Sequence, residues 1–154
     1  MDIVFKDDQV NQISKYLKIT KITVSNVLTM YVNYLKGKLS EGETVKFLNV
    51  CYLRVAGKDE STHETLAYIS HELANDLGLS QVIVNRVLTT YEEFLIKDLK
   101  RLYKYSIRGL VRIRLERNHK GEYRVRIKKS TVYNGQDIYI STTGYFKRKV
   151  EFSD

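Results

Sequence analysis

The stretch Val24-Ser-Asn-Val-Leu-Thr-Met-Tyr-Val-Asn-Tyr-Leu35 is written again, without a gap, sixty positions later as Val84-Asn-Arg-Val-Leu-Thr-Thr-Tyr-Glu-Glu-Phe-Leu95. Outward from this centre the same offset pairs Leu17 with Leu77, Leu39 with Leu99 and Arg54 with Arg114. Between Ile13 and Val55 nine positions are identical to their partners, where ordinary composition gives about three by chance. Other columns keep their character, as Tyr34 against Phe94, Ile19 against Leu79 and Thr20 against Ser80. One supersecondary unit is written twice. Such units bury their apolar faces against one another, so the function is expected to need both.

Each copy opens on a short segment with apolar residues at helical spacing: Val10, Ile13 and Leu17, then Leu66, Ile69, Leu73 and Leu77. Gly78 suits the left-handed residue that ends such a helix, and Ser80 can cap the next. The quoted stretch then predicts a longer helix whose apolar stripe must be buried. In the first copy, Gly37 and Ser40-Glu-Gly-Glu43 are expected to break that helix before a strand-like run from Thr44 to Val55. The second copy changes character at the same place, from Tyr105 to Leu115. A polar stretch, Gly57-Lys-Asp-Glu-Ser-Thr62, then sets the expected boundaries: a first repeat over residues 1–57, a linker over 58–62 and a second repeat over 63–154.

Beyond Leu115 the second copy continues. Asn118-His-Lys-Gly121 and Asn134-Gly135 are turn signals separating Val111-Arg-Ile-Arg-Leu115, Tyr123-Arg-Val-Arg-Ile127 and Asp137-Ile-Tyr-Ile140. These read as hairpins that extend the sheet of the second half only. The chain has no proline, so its turns rest on Gly, Asn, Asp and Ser.

A chain of 154 residues holds one domain or two small, mutually dependent halves with one shared core. No run approaches the roughly 18 apolar residues of a membrane span. The acidic start Met1-Asp2 lacks the basic-then-apolar order of a signal peptide, so a cytoplasmic protein with no membrane partner is expected. Cys51 is the single cysteine, and His63, His71 and His119 fall in no ligand spacing, so no disulfide, metal or cofactor is expected. Cys51 itself reads as a small buried hydrophobe. No phosphate-binding glycine loop occurs, and the Glu92-Glu93 pair reads as solvated helix surface, so no catalytic residue is expected and the chain does not read as an enzyme.

The formal charge of +8 is unevenly spread: residues 111 to 154 carry eleven Lys and Arg against five acids, which is +6 of the total. Between Tyr105 and Arg117, read as one strand, Ile107, Val111, Ile113 and Leu115 alternate with Arg108, Arg112 and Arg114. Tyr123, Val125 and Ile127 alternate likewise with Arg124, Arg126 and Lys128. A period of two sends the two sets to opposite faces, and pairing through the Asn118 turn brings six cations onto one face. Cations on neighbouring strands repel, and Glu116 and Glu122 relieve only part of this. A phosphate backbone would relieve the rest, with counterion release supplying binding free energy. The competing reading is a charged, solvated face that protects sheet edges.

The order of helix, turn, long helix and strand, with Gly42-Glu-Thr-Val-Lys-Phe-Leu-Asn-Val-Cys-Tyr-Leu-Arg-Val55 at the join, resembles the bacterial HU and integration host factor family. Ile107-Arg-Gly-Leu-Val-Arg-Ile-Arg-Leu115 covers the same stretch in the second copy, with Gly109 where the family has its first glycine. Asn134-Gly-Gln-Asp-Ile-Tyr-Ile140, followed by Phe146-Lys147, is similar to the family's return strand. The resemblance implies an α+β pseudo-dimer: two HU-like repeats on a helical base, with sheets and arms forming a saddle over bent, minor-groove-bound double-stranded DNA. It implies low sequence preference, nucleoid association, and phosphates held by Arg108, Arg112, Arg114, Arg124, Arg126 and Lys128. Lys46 and Arg54 would contribute from the first half, and Lys147, Arg148 and Lys149 from a flank. Fusion and asymmetry suit a diverged, phage-borne copy.

The chain departs from the family where Val50, Leu53, Leu110 and Ile113 replace core phenylalanines, where the first copy lacks an arm, and where no proline stands at an arm tip to wedge base pairs. Val125, Ile127 or Tyr123 could replace that wedge only at a tip. Two other readings remain open. Ile69 to Leu88 also resembles a helix-turn-helix, in which Gln81, Asn85 and Arg86 would meet base edges. A chain missing an arm and its prolines could instead pair with another copy of itself or with a host HU protomer and block it.

Overall fold

Thr20 and Ser80 start the two longest helices in the same way: each side-chain oxygen accepts the backbone N–H three residues on, from Thr23 at 3.3 Å and from Ile83 at 3.2 Å. The computed structural model describes residues 7–55, 65–107, 110–127, 132–133 and 135–152. The linker over 58–62, Arg108, Gly109, Lys128 and Asn134 lie outside them. In the first repeat come α1 (Asp7–Leu17), α2 (Lys21–Ser40), β1 (Val45–Phe47) and β2 (Cys51–Val55). The second repeat has α3 (Leu66–Leu77), α4 (Gln81–Leu102), β3 (Lys104–Ile107) and β4 (Val111–Arg117), and then β5 (Tyr123–Ile127), β6 (Val132–Tyr133), β7 (Gln136–Thr142) and α5 (Gly144–Phe152). Among the described residues, five helices and two small antiparallel sheets make an α+β fold.

The sixty-residue offset carries through to the elements, so that α3, α4, β3 and β4 answer α1, α2, β1 and β2. Val24, Val27, Leu28, Tyr31, Leu35 and Leu39 are fully buried along α2, as are Val84, Val87, Leu88, Tyr91, Leu95 and Leu99 along α4. Burying a Val or Leu side chain gains about 1.5–3 kcal/mol, which exceeds the roughly 0.7 kcal/mol by which valine disfavours a helix. Burial therefore decides these helices. α1 packs on both α2 and α4, while α3 packs on both α4 and α2, and the two long helices touch. One hydrophobic core takes residues from both repeats.

Gly37 does not break α2. The helix runs through it to Ser40, whose hydroxyl donates to the Gly37 carbonyl at 2.7 Å, and the exit falls at Gly42 with φ 82°. An internal glycine costs about 1 kcal/mol, less than is gained by burying Leu35 and Leu39 on either side. At the end of α3, by contrast, Gly78 adopts the expected left-handed conformation, φ 67°.

The run from Tyr105 to Arg117, expected to be one strand, is two. β3 and β4 are antiparallel neighbours, with Ile107 opposite Val111 and Tyr105 opposite Ile113. The first repeat does the same, with Phe47 opposite Cys51 across a turn at Leu48 to Val50. A three-residue turn leaves the flanking residues directly opposed, so odd-numbered residues of both strands still share a face. The inward and outward sets therefore survive the misread strand count.

The C-terminal strand overturns a second expectation. β7 does not extend the sheet of the second half. It pairs antiparallel with β2, setting Leu53 against Ile140 and Arg54 against Tyr139, so the first sheet runs β1-β2-β7-β6 and the second β3-β4-β5. The first repeat is thus completed by residues from the end of the second. Thr143 fastens the exchange: its hydroxyl donates to the Asn49 carbonyl and accepts the Phe146 N–H at 3.1 Å, while its N–H donates to the Val50 carbonyl at 3.0 Å. Phe146 and Val150 of α5 are fully buried behind it.

The two sheets meet where β5 lies beside β7. The Thr142 hydroxyl accepts the Val125 N–H at 2.8 Å and donates to the Val125 carbonyl at 3.2 Å. Because β5 rests against β7 and α5, the β4–β5 hairpin does not stand clear of the body as the arm the resemblance implies. α2 backs β1 and β2, and α4 backs β3 and β4, so each sheet has one face against its own repeat's long helix.

Candidate functional site

The outer face of β3-β4-β5 carries Lys104, Ser106, Arg112, Arg114, Glu116, Arg124 and Arg126, while Tyr105, Ile107, Val111, Ile113, Leu115 and Val125 are buried on the other. Register places Arg114 directly opposite Lys104 on one side and Arg126 on the other, so three cations cross the sheet in one row. Arg112 stands opposite Ser106, and Glu116 opposite Arg124. Like charges directly opposite one another on neighbouring strands are destabilising, and Arg114 has such a neighbour on each side.

Glu116 answers part of this repulsion. Its Oε2 lies 3.1 Å from Arg114 Nε, and its Oε1 lies 3.2 Å from Arg124 Nε and 3.5 Å from Arg126 Nε. Three guanidinium groups from two strands therefore converge on one carboxylate. Among the described residues, five cations against that carboxylate leave this face at a formal +4. Arg112 takes part in no ion pair among the described residues.

Glu122, expected to share in the neutralisation, belongs to the turn instead. It accepts the Asn118 Nδ2 at 3.1 Å while its N–H donates to Asn118 Oδ1 at 3.0 Å, and the Asn118 bond holds its carboxyl below the usual carboxylate range. Arg117 turns away from the row: it donates to the Tyr123 hydroxyl at 2.6 Å and stacks 4.4 Å above that ring. Tyr123 is thereby covered, Val125 is buried and Ile127 packs on the core, so none of the three stands free at a tip as a wedge.

On the first sheet, Lys46 and Arg54 occupy the solvent face, each beside a tyrosine on the neighbouring strand. Lys46 Nζ is 5.9 Å from the Tyr52 ring centre, and the Arg54 guanidinium is 5.1 Å from that of Tyr139. Such contacts are worth about 0.5–1 kcal/mol at exposed sites and leave the cation charged. The flanking cations of α5 do not join the Glu116 cluster. Lys149 donates to the Tyr145 hydroxyl at 3.5 Å and acts electrostatically on Glu92, Lys147 acts on Glu122, and Arg148 lies against Gly144.

The structure thus brings together Arg112, Arg114, Arg124 and Arg126 and sets Lys46 and Arg54 on the adjoining sheet, while Lys149 and Lys46 both act on Glu92 and Lys147 acts on Glu122. Sequence reasoning missed Lys104, because reading Tyr105 to Arg117 as one strand hid the partner strand on which it stands. It also misassigned Glu92. That residue is 5% exposed, and its Oε1 accepts the Asn49 N–H at 2.7 Å, tying α4 of the second repeat to the β1–β2 turn of the first. Burial pushes its carboxyl above the ordinary range, against the Asn49 hydrogen bonds and the charges of Lys149 and Lys46.

A second inter-repeat link is a buried chain from Gln9 Oε1 to the Tyr105 hydroxyl and on to the Tyr91 hydroxyl, 2.8 Å at each step. Tyr31, the counterpart of Tyr91, keeps its hydroxyl within its own repeat, accepting the Leu48 N–H at 2.7 Å. Cys51 is fully buried and free, and burial pushes its thiol well up. Of the alternative base-reading residues, Gln81 donates to the Ala67 carbonyl at 3.3 Å, Asn85 accepts from Ser70 at 3.5 Å, and Arg86 lines a shallow depression with Tyr16 and Glu93. Among the described residues no group of His, Cys, Asp or Glu is placed to hold a metal, and no helix is long and apolar enough to cross a membrane. A scan against protein-family models, a search of curated proteins and a search of solved structures each returned no match.

Proposed function

We propose that this protein binds double-stranded DNA with weak sequence preference, as a single-chain counterpart of the two-fold HU-type architectural dimer. The observation that carries this reading is the row Lys104, Arg114 and Arg126 with Arg112 and Arg124 around it, five cations and one carboxylate among the described residues of a single solvent-facing sheet. Further support is the shared helical base and the adjoining first sheet, where Lys46 and Arg54 add positive charge beside Tyr52 and Tyr139. Contacts from this row to phosphates position the duplex and carry little sequence information. The chain has no proline, and a proline-driven kink has no part in this reading.

The test is a salt titration of duplex affinity. Replacing Arg112, Arg114, Arg124 and Arg126 by Ala is expected to weaken binding to all sequences alike and to reduce the logarithmic salt slope by about 0.9 per lost phosphate contact. An unchanged slope overturns the assignment of this face. Retardation of no duplex, together with capture of an HU protomer, would favour the blocking reading, and a loss confined to one sequence on Arg86→Ala would favour the helix-turn-helix.

A further inference from the structure

The three-to-one arrangement around Glu116 is chemically unbalanced. A guanidinium offers five N–H donors and a carboxylate about four acceptor sites, so three guanidiniums present far more donors than one carboxylate can accept. Glu116 is also the most shielded member, its side chain 26% exposed against 47%, 39% and 50% for Arg114, Arg124 and Arg126. The carboxylate therefore sits among the cations while their outer edges remain in water. Register explains why they converge: Arg114 and Arg126 are directly opposed, Arg124 is opposite Glu116, and all four side chains leave the sheet on the same side within two residues of one another.

We propose that Arg114, Arg124 and Arg126 form a tridentate oxyanion site whose resident anion is the Glu116 carboxylate, and that a phosphate group takes its place. Three positive charges and one negative leave the cluster at +2 with Glu116 in place. An arriving phosphodiester meets donors already gathered, since the carboxylate holds together side chains that would otherwise spread apart. It must also compete with that carboxylate. Glu116 thus assembles the site and weakens it. Duplex DNA as the source of the phosphate rests on the reading above; the site itself does not.

Two probes separate the sources: inorganic phosphate and a mixed-sequence duplex. The readout is the arginine Nε–Hε resonances of the full chain, assigned to Arg114, Arg124 and Arg126. In the wild-type protein both probes are expected to shift all three. Glu116→Gln removes the competing charge and is expected to bind each probe about fourfold more tightly, the Boltzmann factor of two unit charges about 5 Å apart in water. If the three resonances stay put with both probes in the wild type, or if Glu116→Gln binds equally or more weakly, the carboxylate is structural and the proposal fails. A response to phosphate with none to duplex keeps the oxyanion site and removes the DNA reading. Duplex binding that leaves these resonances untouched while Arg112→Ala abolishes it keeps the DNA reading and removes this site. The wild-type measurement stands even if the variant does not fold.

Discussion

Glu92 is the sharpest place to test how the two repeats are joined. Glu92→Ala removes the acceptor of the Asn49 N–H, which now sits 2.7 Å from Oε1, and leaves that donor half-buried without it. Stranding such a donor costs about 1–3 kcal/mol. In a chain of this size each kcal/mol lowers the melting temperature by about 2–4 °C, so a cost of about 2 kcal/mol corresponds to a fall of about 4–8 °C. Glu92→Gln keeps an oxygen at the same place and removes a carboxylate that burial disfavours, so its stability at pH 7 is expected to equal or exceed that of the parent. The pH dependence has a definite sign. A carboxyl raised in the folded state binds its proton more tightly there than in the unfolded chain. Its contribution is present below the unfolded value of about 4.3 and is lost as pH rises through the folded value. Urea unfolding of parent and Gln variant at pH 4 and pH 7 is therefore expected to show the parent losing ground to the variant at the higher pH. Equal destabilisation by Ala and Gln at pH 7 would show that the charge, and not the hydrogen bond, holds the turn.

Two further outcomes follow from neighbouring features. Thr142→Val removes the hydroxyl that bridges the Val125 N–H and carbonyl; a loss of about 1–3 kcal/mol and faster hydrogen exchange at the Val125 amide are expected, with Thr142→Ser restoring both, and unchanged exchange would show that the sheets do not meet through this residue. Cys51 is fully buried with its thiol pushed up, so a thiol reagent at pH 8 is expected to label it only after denaturant unfolds the chain; rapid labelling of the native protein would contradict its place in β2.

The repeat was legible because it lies in residues whose local physics is strong. Thr20 and Ser80 cap helices, Gly78 adopts a left-handed conformation, and the Val24 and Val84 stripes are buried at helical spacing. The faces of the strands were legible too, since alternation is local and a three-residue turn preserves its parity. Partner choice was not. Alternation in Asp137 to Ile140 says which side chains point inward, and nothing in it says that Ile140 lies against Leu53 of the other repeat. Glu92 did leave a trace: its counterpart in the first copy is Val32, so a carboxylate had entered an apolar column of the repeat. Reading that mismatch as a buried contact required knowing that the Asn49 turn lies above it. Among the candidate cations, the shared face of the four on β4 and β5 followed from pattern alone, whereas the surroundings of Lys147, Arg148 and Lys149 depended on where α5 packs.

The exchange of β7 into the first sheet has a consequence in time. As the chain emerges from the ribosome, Val55 appears long before Thr142, and at about 5–20 residues per second the 87 intervening steps take roughly 4–17 s. Throughout that interval β2 is an edge without its neighbour, an invitation to pairing by any nearby strand. A second nascent chain on the same messenger carries the right one. Crowded synthesis would therefore favour interlocked pairs in which each copy closes the other, and slower elongation would lengthen the opening.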